Sequence, residues 1–230
     1  MSRCYNRCTD YWGLLLLELG LKVFVSYLVG SVNGALLVGQ LYGGVDIRKV
    51  GSGNAGGTNA LRTQGKLFAL LVMVVDVGKG ILPAMFLPSM DIAGVGIDSA
   101  VTREWLLYGC AAATIFGHCY PVWHEFAGGK GAATALGALT VVAPVVLVPA
   151  LLTWFVALLI VGYVGLATVL ATAAIPLYLL FTVGSLATNL IMFTTAVAVF
   201  IAFTHRSNLR RLISGNWTPD IRFCLLRRSR

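Results

Sequence analysis

GAATALGALTVVAPVVLVPALLTWFVALLIVGYVGLATVLATAAIPLYLLFTVGSLATNLIMFTTAVAVFIAFT, residues 131–204, contains no Asp, Glu, Lys or Arg. A water-soluble fold surrounds its core with charge, usually about 25% of its residues. An uncharged run of this length has no place in such a fold, so lipid is the solvent for most of the chain. The rest of the sequence agrees. Of 230 residues, 58% are hydrophobic and 11% charged, and the mean hydropathy is +0.84.

Charge patterning then orients the chain. Downstream of the run lie Arg206, Arg210, Arg211, Arg222, Arg227, Arg228 and Arg230 against one acid, Asp220. Upstream, residues 43–66 carry Arg48, Lys49, Arg62 and Lys66 against Asp46, whereas residues 88–104 carry Asp91, Asp98 and Glu104 against Arg103. Basic loops stay on the cytoplasmic side, so the first loop and the tail are expected inside and the acidic loop outside. The net charge of +8 then suits an anionic leaflet or substrate, and nucleic acid is not expected as a partner.

A spanning helix needs about 20 apolar residues. Candidate spans lie at 12–42, 67–87 and 105–119. The uncharged block must cross an even number of times, and four crossings (131–148, 149–163, 166–183, 186–204) fill it. The expected fold class is an all-α integral membrane protein of seven transmembrane helices, N-terminus outside and C-terminus cytoplasmic, forming one domain over 1–230. Residues 1–11 are polar and no small-residue cleavage site closes the first span, which reads as retained. Gly30/Gly34 and Gly39/Gly43 have the small-xxx-small spacing of close helix packing. Cys4, Cys8, Cys110, Cys119 and Cys224 show no metal-ligand spacing and read as isolated thiols.

Three polar clusters fall on the predicted inner face. The first runs Val50-Gly51-Ser52-Gly53-Asn54-Ala55-Gly56-Gly57-Thr58-Asn59-Ala60-Leu61-Arg62-Thr63. Glycines let backbone N–H groups converge on an anion. Ser52, Asn54, Thr58 and Asn59 add neutral donors, and Arg62 a planar fork suited to phosphate. A flexible connecting loop is the plainer alternative; the flanking Arg48, Lys49 and Lys66 favour phosphate. The G-K-[ST] ending of a Walker A loop is missing. The second cluster is Phe126-Ala127-Gly128-Gly129-Lys130-Gly131, where Lys130 is either a ligand group or a lysine snorkelling to the interface. The third runs from Thr204 through His205, Arg206, Ser207 and Asn208 to Leu212; an ordinary basic juxtamembrane helix is its alternative. Asp76 and Lys79, three residues apart inside the second span, read as an internal ion pair. His118 and His124 read as interfacial or structural.

In this order, these stretches resemble the signatures of the bacterial acyl-phosphate:glycerol-3-phosphate acyltransferases, the PlsY family. Val45-Asp46-Ile47-Arg48-Lys49-Val50-Gly51-Ser52-Gly53-Asn54 with Gly57-Thr58-Asn59-Ala60-Leu61-Arg62-Thr63 is similar to the first. Gly117-His118 with Pro121 and Gly128-Gly129-Lys130-Gly131-Ala132-Ala133-Thr134 is similar to the second. His205-Arg206, Asn208 and Arg210-Arg211-Leu212 are similar to the third, and Asp76 with Lys79-Gly80 fits the family's second span.

The resemblance implies acyl transfer from acyl phosphate to the 1-hydroxyl of glycerol 3-phosphate. It implies a site on the cytoplasmic face of a bacterial inner membrane, with the bilayer as surroundings; no cofactor and no metal are expected, and a monomer is the expected working form. By motif, Ser52, Arg62, Lys130, His205 and Asn208 are the implied catalytic residues. Gly53, Asn54, Gly56, Gly57, Thr58, Asn59, Gly128, Gly129 and Thr168 are the implied substrate-binding ones. The proton acceptor is left between His205 and the substrate's own phosphate.

The chain also departs from the pattern. Where the family shows Arg or Lys followed by Tyr-x-Ser-Leu-x-Ser, it reads Gly162-Tyr163-Val164-Gly165-Leu166-Ala167-Thr168. Where the family shows Gly-Thr-Glu, it reads Gly215-Asn216-Trp217. Two rival readings follow. A transporter of a phosphorylated solute would need polar residues along a path from both sides; a non-catalytic lipid-binding relative is suggested by the departures alone.

Overall fold

The computed structural model describes residues 17–216 and Asp220. Cys4, Cys8, Trp217 and Cys224, the start of the first span and the arginines beyond Asp220 lie outside the described residues. Those described contain helices and no strand. The chain forms two compact units, Met1–Gly129 with Ala133–Val142, and Lys130–Ala132 with Ala143–Arg230.

The first unit begins with a broken helix. Helices α1 (Leu17–Gly30) and α2 (Gly34–Leu41) meet at 45°, which explains the excess length of the first apolar stretch. The break is chemically closed. Asn33 caps α2, its side-chain oxygen accepting from the N–H groups of Ala35 and Leu36. Asp76 Oδ1 accepts the Gly34 N–H at 3.0 Å, and Lys79 Nζ donates to the Val32 carbonyl at 2.8 Å. Charge of the favourable sign thus sits at each severed helix end, and the backbone groups freed by the break are satisfied within the protein.

Helix α3 (Gly57–Gln64) stops at Gly65, whose φ of +92° only glycine adopts readily. Helix α4 (Lys66–Phe86) follows at once. Ala35, Leu36, Val38, Ile47, Ala55, Ala60, Phe68, Ala69 and Val72 bury one another, so α2, the loop, α3 and α4 share one apolar floor. Helix α5 (Arg103–Cys119) starts at a Thr102 cap that accepts from the Trp105 N–H, and α6 (Ala132–Val142) packs on α4. A Cβ at Gly30 would meet the Thr114 backbone, and one at Gly80 the Thr134 carbonyl. The small residues do mark close packing there. Gly43 does not belong with them: at φ +85° it serves a turn, with open space where a side chain would go.

At the opposite end of α1, Glu18 accepts from Lys22 at 2.7 Å, from Arg103 at 2.6 Å and from the Asp98 N–H at 2.8 Å. This clasp was missed in the sequence, although Glu18 and Lys22 are four apart in an apolar stretch, the spacing of a helical ion pair.

The second unit holds α7 (Leu147–Val161), α8 (Val164–Thr182), α9 (Thr188–Thr204) and α10 (Arg206–Ile213). Gly162, at φ +74°, ends α7 and lets α8 return against it around Ala157, Leu158 and Ala167. Among the described residues, four helical stretches are long and apolar enough to cross a membrane: Lys66–Ser89, Pro144–Val161, Val164–Thr182 and Gly184–Thr204. The α1–α2 pair adds a fifth if counted as one span. Helix α5 has 17 residues and α6 has 11, about 16 Å at 1.5 Å per residue.

Candidate active site

In the first unit the glycine loop is organised from within. Asn59 is 1% exposed. Its Oδ1 accepts the Ser52 N–H at 2.9 Å, and its Nδ2 donates to the carbonyls of Ile47 and Val50, both at 3.0 Å. Both amide hydrogens are therefore engaged inside the loop. Asn59 shapes the cradle, and any ligand contact there falls to its neighbours. Gly51 and Gly53 take φ of +59° and +74°, which lets the chain curl into a nest. A Cβ at Gly51 would strike the Asn59 amide, so that position excludes every other residue twice over. Asn54 and Thr58 are half-buried beside Gly56 and Gly57, Ser52 is half-buried, and Arg62 is exposed on α3.

Arg48 behaves otherwise than its place among the flanking cations suggests. Its Nε and Nη2 donate to the two carboxylate oxygens of Asp46, each at 3.0 Å, and its Nη1 donates to the His124 carbonyl at 3.1 Å. The guanidinium holds the Asp46 carboxyl below its ordinary range. Its partner loop contains Glu125 and Phe126 at φ +56° and +57°, a conformation costing about 1–2 kcal/mol per non-glycine residue. Arg48 is the staple that holds this turn. From it the chain runs into Gly128 and Gly129, whose N–H groups donate to the carbonyls of Cys119 and His118 at 3.2 and 3.1 Å.

Beneath both loops lies a buried charged cluster. Asp76 Oδ1 stands 3.0 Å from Lys79 Nζ and 3.3 Å from His118 Nδ1; the three residues are 1%, 5% and 2% exposed. The expected Asp76–Lys79 pair is present, and it has a third member that sequence spacing could not disclose.

In the second unit Lys130 Nζ donates to Asn208 Oδ1 at 2.6 Å. Tyr163 Oη donates to the Asn208 carbonyl at 3.1 Å, and Thr204 Oγ1 lies 2.9 Å from the Lys130 carbonyl. Lys130, Asn208 and the end of α9 are thus joined. The Asn208 side chain rests on Gly165, where a Cβ would lie 2.9 Å from Asn208 Cβ and closer still to Nδ2. The Gly165 departure therefore has a geometric content: the space is filled by Asn208.

Just after α9, His205 is buried, with Nδ1 2.8 Å from the Ile201 carbonyl. A carbonyl only accepts, so Nδ1 carries the proton and Nε2 the lone pair. Burial pushes the ring's pKa down to about 4, against the raising effect of the Ile201 bond.

Thr168, an implied substrate-binding residue, has its hydroxyl already engaged. Its hydroxyl donates to the Val164 carbonyl at 2.9 Å and receives the Trp154 indole N–H at 3.2 Å, so it serves α7–α8 packing. Past Trp217 the tail supplies a carboxylate to α8. Asp220 accepts the Val164 N–H at 2.8 Å and donates its own N–H to the Gly162 carbonyl at 2.6 Å, capping α8. Among the described residues no cluster of three His, Cys, Asp or Glu side chains is placed to hold a metal ion.

The family model for glycerol-3-phosphate acyltransferases matches residues 21–215. A glycerol-3-phosphate acyltransferase of Aquifex aeolicus is 38% identical over 193 residues, which cover 84% of this chain and 94% of the relative. One from Desulforamulus reducens is 35% identical, with 83% and 89% covered. Among solved structures, the glycerol 3-phosphate form of PlsY, an integral membrane glycerol 3-phosphate acyltransferase, superposes with a TM-score of 0.74 at 36% identity, covering 87% of this chain and 94% of that one. Its lysophosphatidic acid form gives 0.73 at 35%. The chain is thus an integral membrane enzyme and belongs to the glycerol-3-phosphate acyltransferase family.

Proposed function

We propose that this protein transfers a fatty acyl group from acyl phosphate to the 1-hydroxyl of glycerol 3-phosphate. The products are 1-acylglycerol 3-phosphate and inorganic phosphate. Within the family assignment, the observation that carries this reading is the nest at residues 50–59, held open by Asn59 and by glycines at positive φ. Both substrates are phosphates, and the chain offers phosphate-binding groups in each unit. The side chains of Ser52, Asn54, Thr58 and Arg62 serve in one, where the bare Gly128 and Gly129 let a ligand approach the backbone closely; Lys130, set by Asn208, serves in the other.

The 1-hydroxyl oxygen attacks the acyl carbonyl carbon, the carbon–oxygen bond to phosphate breaks, and the phosphate leaves with the electron pair. Acyl phosphate carries a good leaving group, so positioning and charge stabilisation suffice. A ring with a pKa of about 4 is a poor general base near neutrality. His205 accordingly orients the hydroxyl through its Nε2 lone pair, and the proton passes to a phosphate oxygen of the substrates.

The chain crosses the bacterial inner membrane seven times with the N-terminus outside and acts as a monomer on the cytoplasmic face. The basic composition of residues 43–66 and of the tail supports this orientation. The test is turnover of palmitoyl phosphate and glycerol 3-phosphate by the purified protein in lipid mesophase. Equal appearance of phosphate and lysophosphatidic acid supports the reading. Phosphate release without the lipid product refutes the acceptor.

A further inference from the structure

Three consecutive residues of the α1–α2 break reach in three directions. The Val32 carbonyl takes Lys79, the Gly34 N–H meets Asp76, and the side chain of Asn33 donates to the Ala55 carbonyl of the nest at 3.3 Å. Asp76 then meets His118. His118 in turn lies so close to Gly129 that a Cβ there would strike its Nε2, while the same Cβ would come within 2.7 Å of the Ala55 carbonyl. Gly129 is thus held between the His118 ring and the nest backbone.

The Asp76–Lys79 pair alone would be a packing device. A third buried titratable group, pressed against one glycine loop and linked through the helix break to the other, is more than that device requires. Asp76 Oδ2 and His118 Nδ1 are both buried with no hydrogen-bond partner, so the carboxylate's polar contacts converge on Oδ1, which Gly34 and Lys79 share and His118 Nδ1 approaches to 3.3 Å.

From this geometry we infer that His118, seated on Asp76, is a positioning residue that sets the Gly129 backbone against Ala55 and so fixes the spacing of the two phosphate-facing loops. It touches no reacting atom. The inference rests on the assignment of those loops to phosphate given above.

The test compares His118→Asn with wild type. Asparagine keeps a donor near the Nδ1 position facing Asp76 and deletes the ring edge that meets Gly129. Displacing a positioned group by about 1 Å can cost on the order of 10²-fold. The expected result is a rise of about 10-fold in KM for glycerol 3-phosphate with kcat within about 3-fold, the pattern of lost ground-state binding. The thermal midpoint should stay near that of wild type. Calorimetric titration with glycerol 3-phosphate should show the same rise in Kd without turnover, and His118→Ala should show a larger one.

A lowered thermal midpoint with unchanged KM and Kd overturns the inference, because the cluster would then be packing alone. So do wild-type constants in both variants. In either case an active wild type leaves the proposed reaction standing. A wild type that binds glycerol 3-phosphate without turning it over counts against the reaction, and the Kd comparison still decides the role of His118. A wild type that neither binds nor turns over overturns both.

Discussion

The two units hold their charged and amide side chains in opposite ways. In the first, Arg48 is locked to Asp46, Lys79 is locked to Asp76, and the amide of Asn59 is consumed by its own loop. What remains are the short side chains of Ser52, Asn54 and Thr58 and the exposed Arg62, carried on a loop that Gly51 and Gly53 shape at positive φ. In the second, the proposed ligand group is a side-chain end, Lys130, held by the amide of Asn208 on the bare Cα of Gly165. The first region should fail when its backbone is deformed and the second when a side chain is removed or pushed aside. The lesson is that counting cations around a motif overstates how many are available to a substrate.

The largest expected effect comes from taking away the side-chain end. Lys130→Ala should lower kcat/KM by about 10²–10³-fold, the usual loss for one donor to developing charge, while melting near wild type. Coupled measurement of phosphate and lysophosphatidic acid checks this, and a loss under threefold would erase the contrast. Next comes the backbone. Gly51→Ala forces a left-handed alanine, costing about 1–2 kcal/mol, and drives its methyl into Asn59. KM should rise by about 10–100-fold, which initial rates against glycerol 3-phosphate would show; an unchanged KM would mean that the nest is not where phosphate sits.

Gly165→Ser sharpens the other half. The new side chain must displace Asn208 and loosen Lys130, with an expected loss of about 10-fold in kcat/KM. The same loss added in full on top of Lys130→Ala would show that the two do not act through one contact.

The last effect concerns pH and is read in stability, with no loss of activity implied. The folded-state pKa of His205 lies near 4, below the ordinary value of about 6.5. The unfolded chain therefore binds the proton more readily, and the stabilisation associated with the neutral ring is complete above about pH 6.5. It is lost as pH falls from there towards 4, at no more than about 1.4 kcal/mol per unit. Melting curves between pH 7 and 5 should fall less steeply in His205→Gln than in wild type.

Much of this was legible in the sequence because it depends on local pattern. The charge-free run at residues 131–204 declares lipid as the solvent whatever the tertiary structure. The Gly51–Arg62 segment announces its turns by its glycines, two of which, Gly51 and Gly53, take positive φ. What was not legible is where each polar group finds its partner across the fold. Arg48 looks like a ligand until the His124 carbonyl is seen beneath it, and Thr168 looks like a free hydroxyl until Trp154 reaches it. His118 gives no sign of Asp76, because they sit on different helices and only packing of α4 against α5 joins them. Gly39 and Gly43 share a motif spacing yet do different work, since one presses on the Val45 carbonyl and the other makes a turn.

The break between α1 and α2 also bears on how the protein is made. Val32 and Gly34 depend on Lys79 and Asp76, which follow 47 and 42 residues later in the chain. At about 5–20 residues per second, the ribosome supplies those partners a few seconds after the first segment has emerged. Through that interval the nascent segment holds backbone groups that hydrocarbon cannot satisfy. Biogenesis therefore has an order built into the chain, in which the first hydrophobic segment settles at its final depth only once the second has arrived to close it.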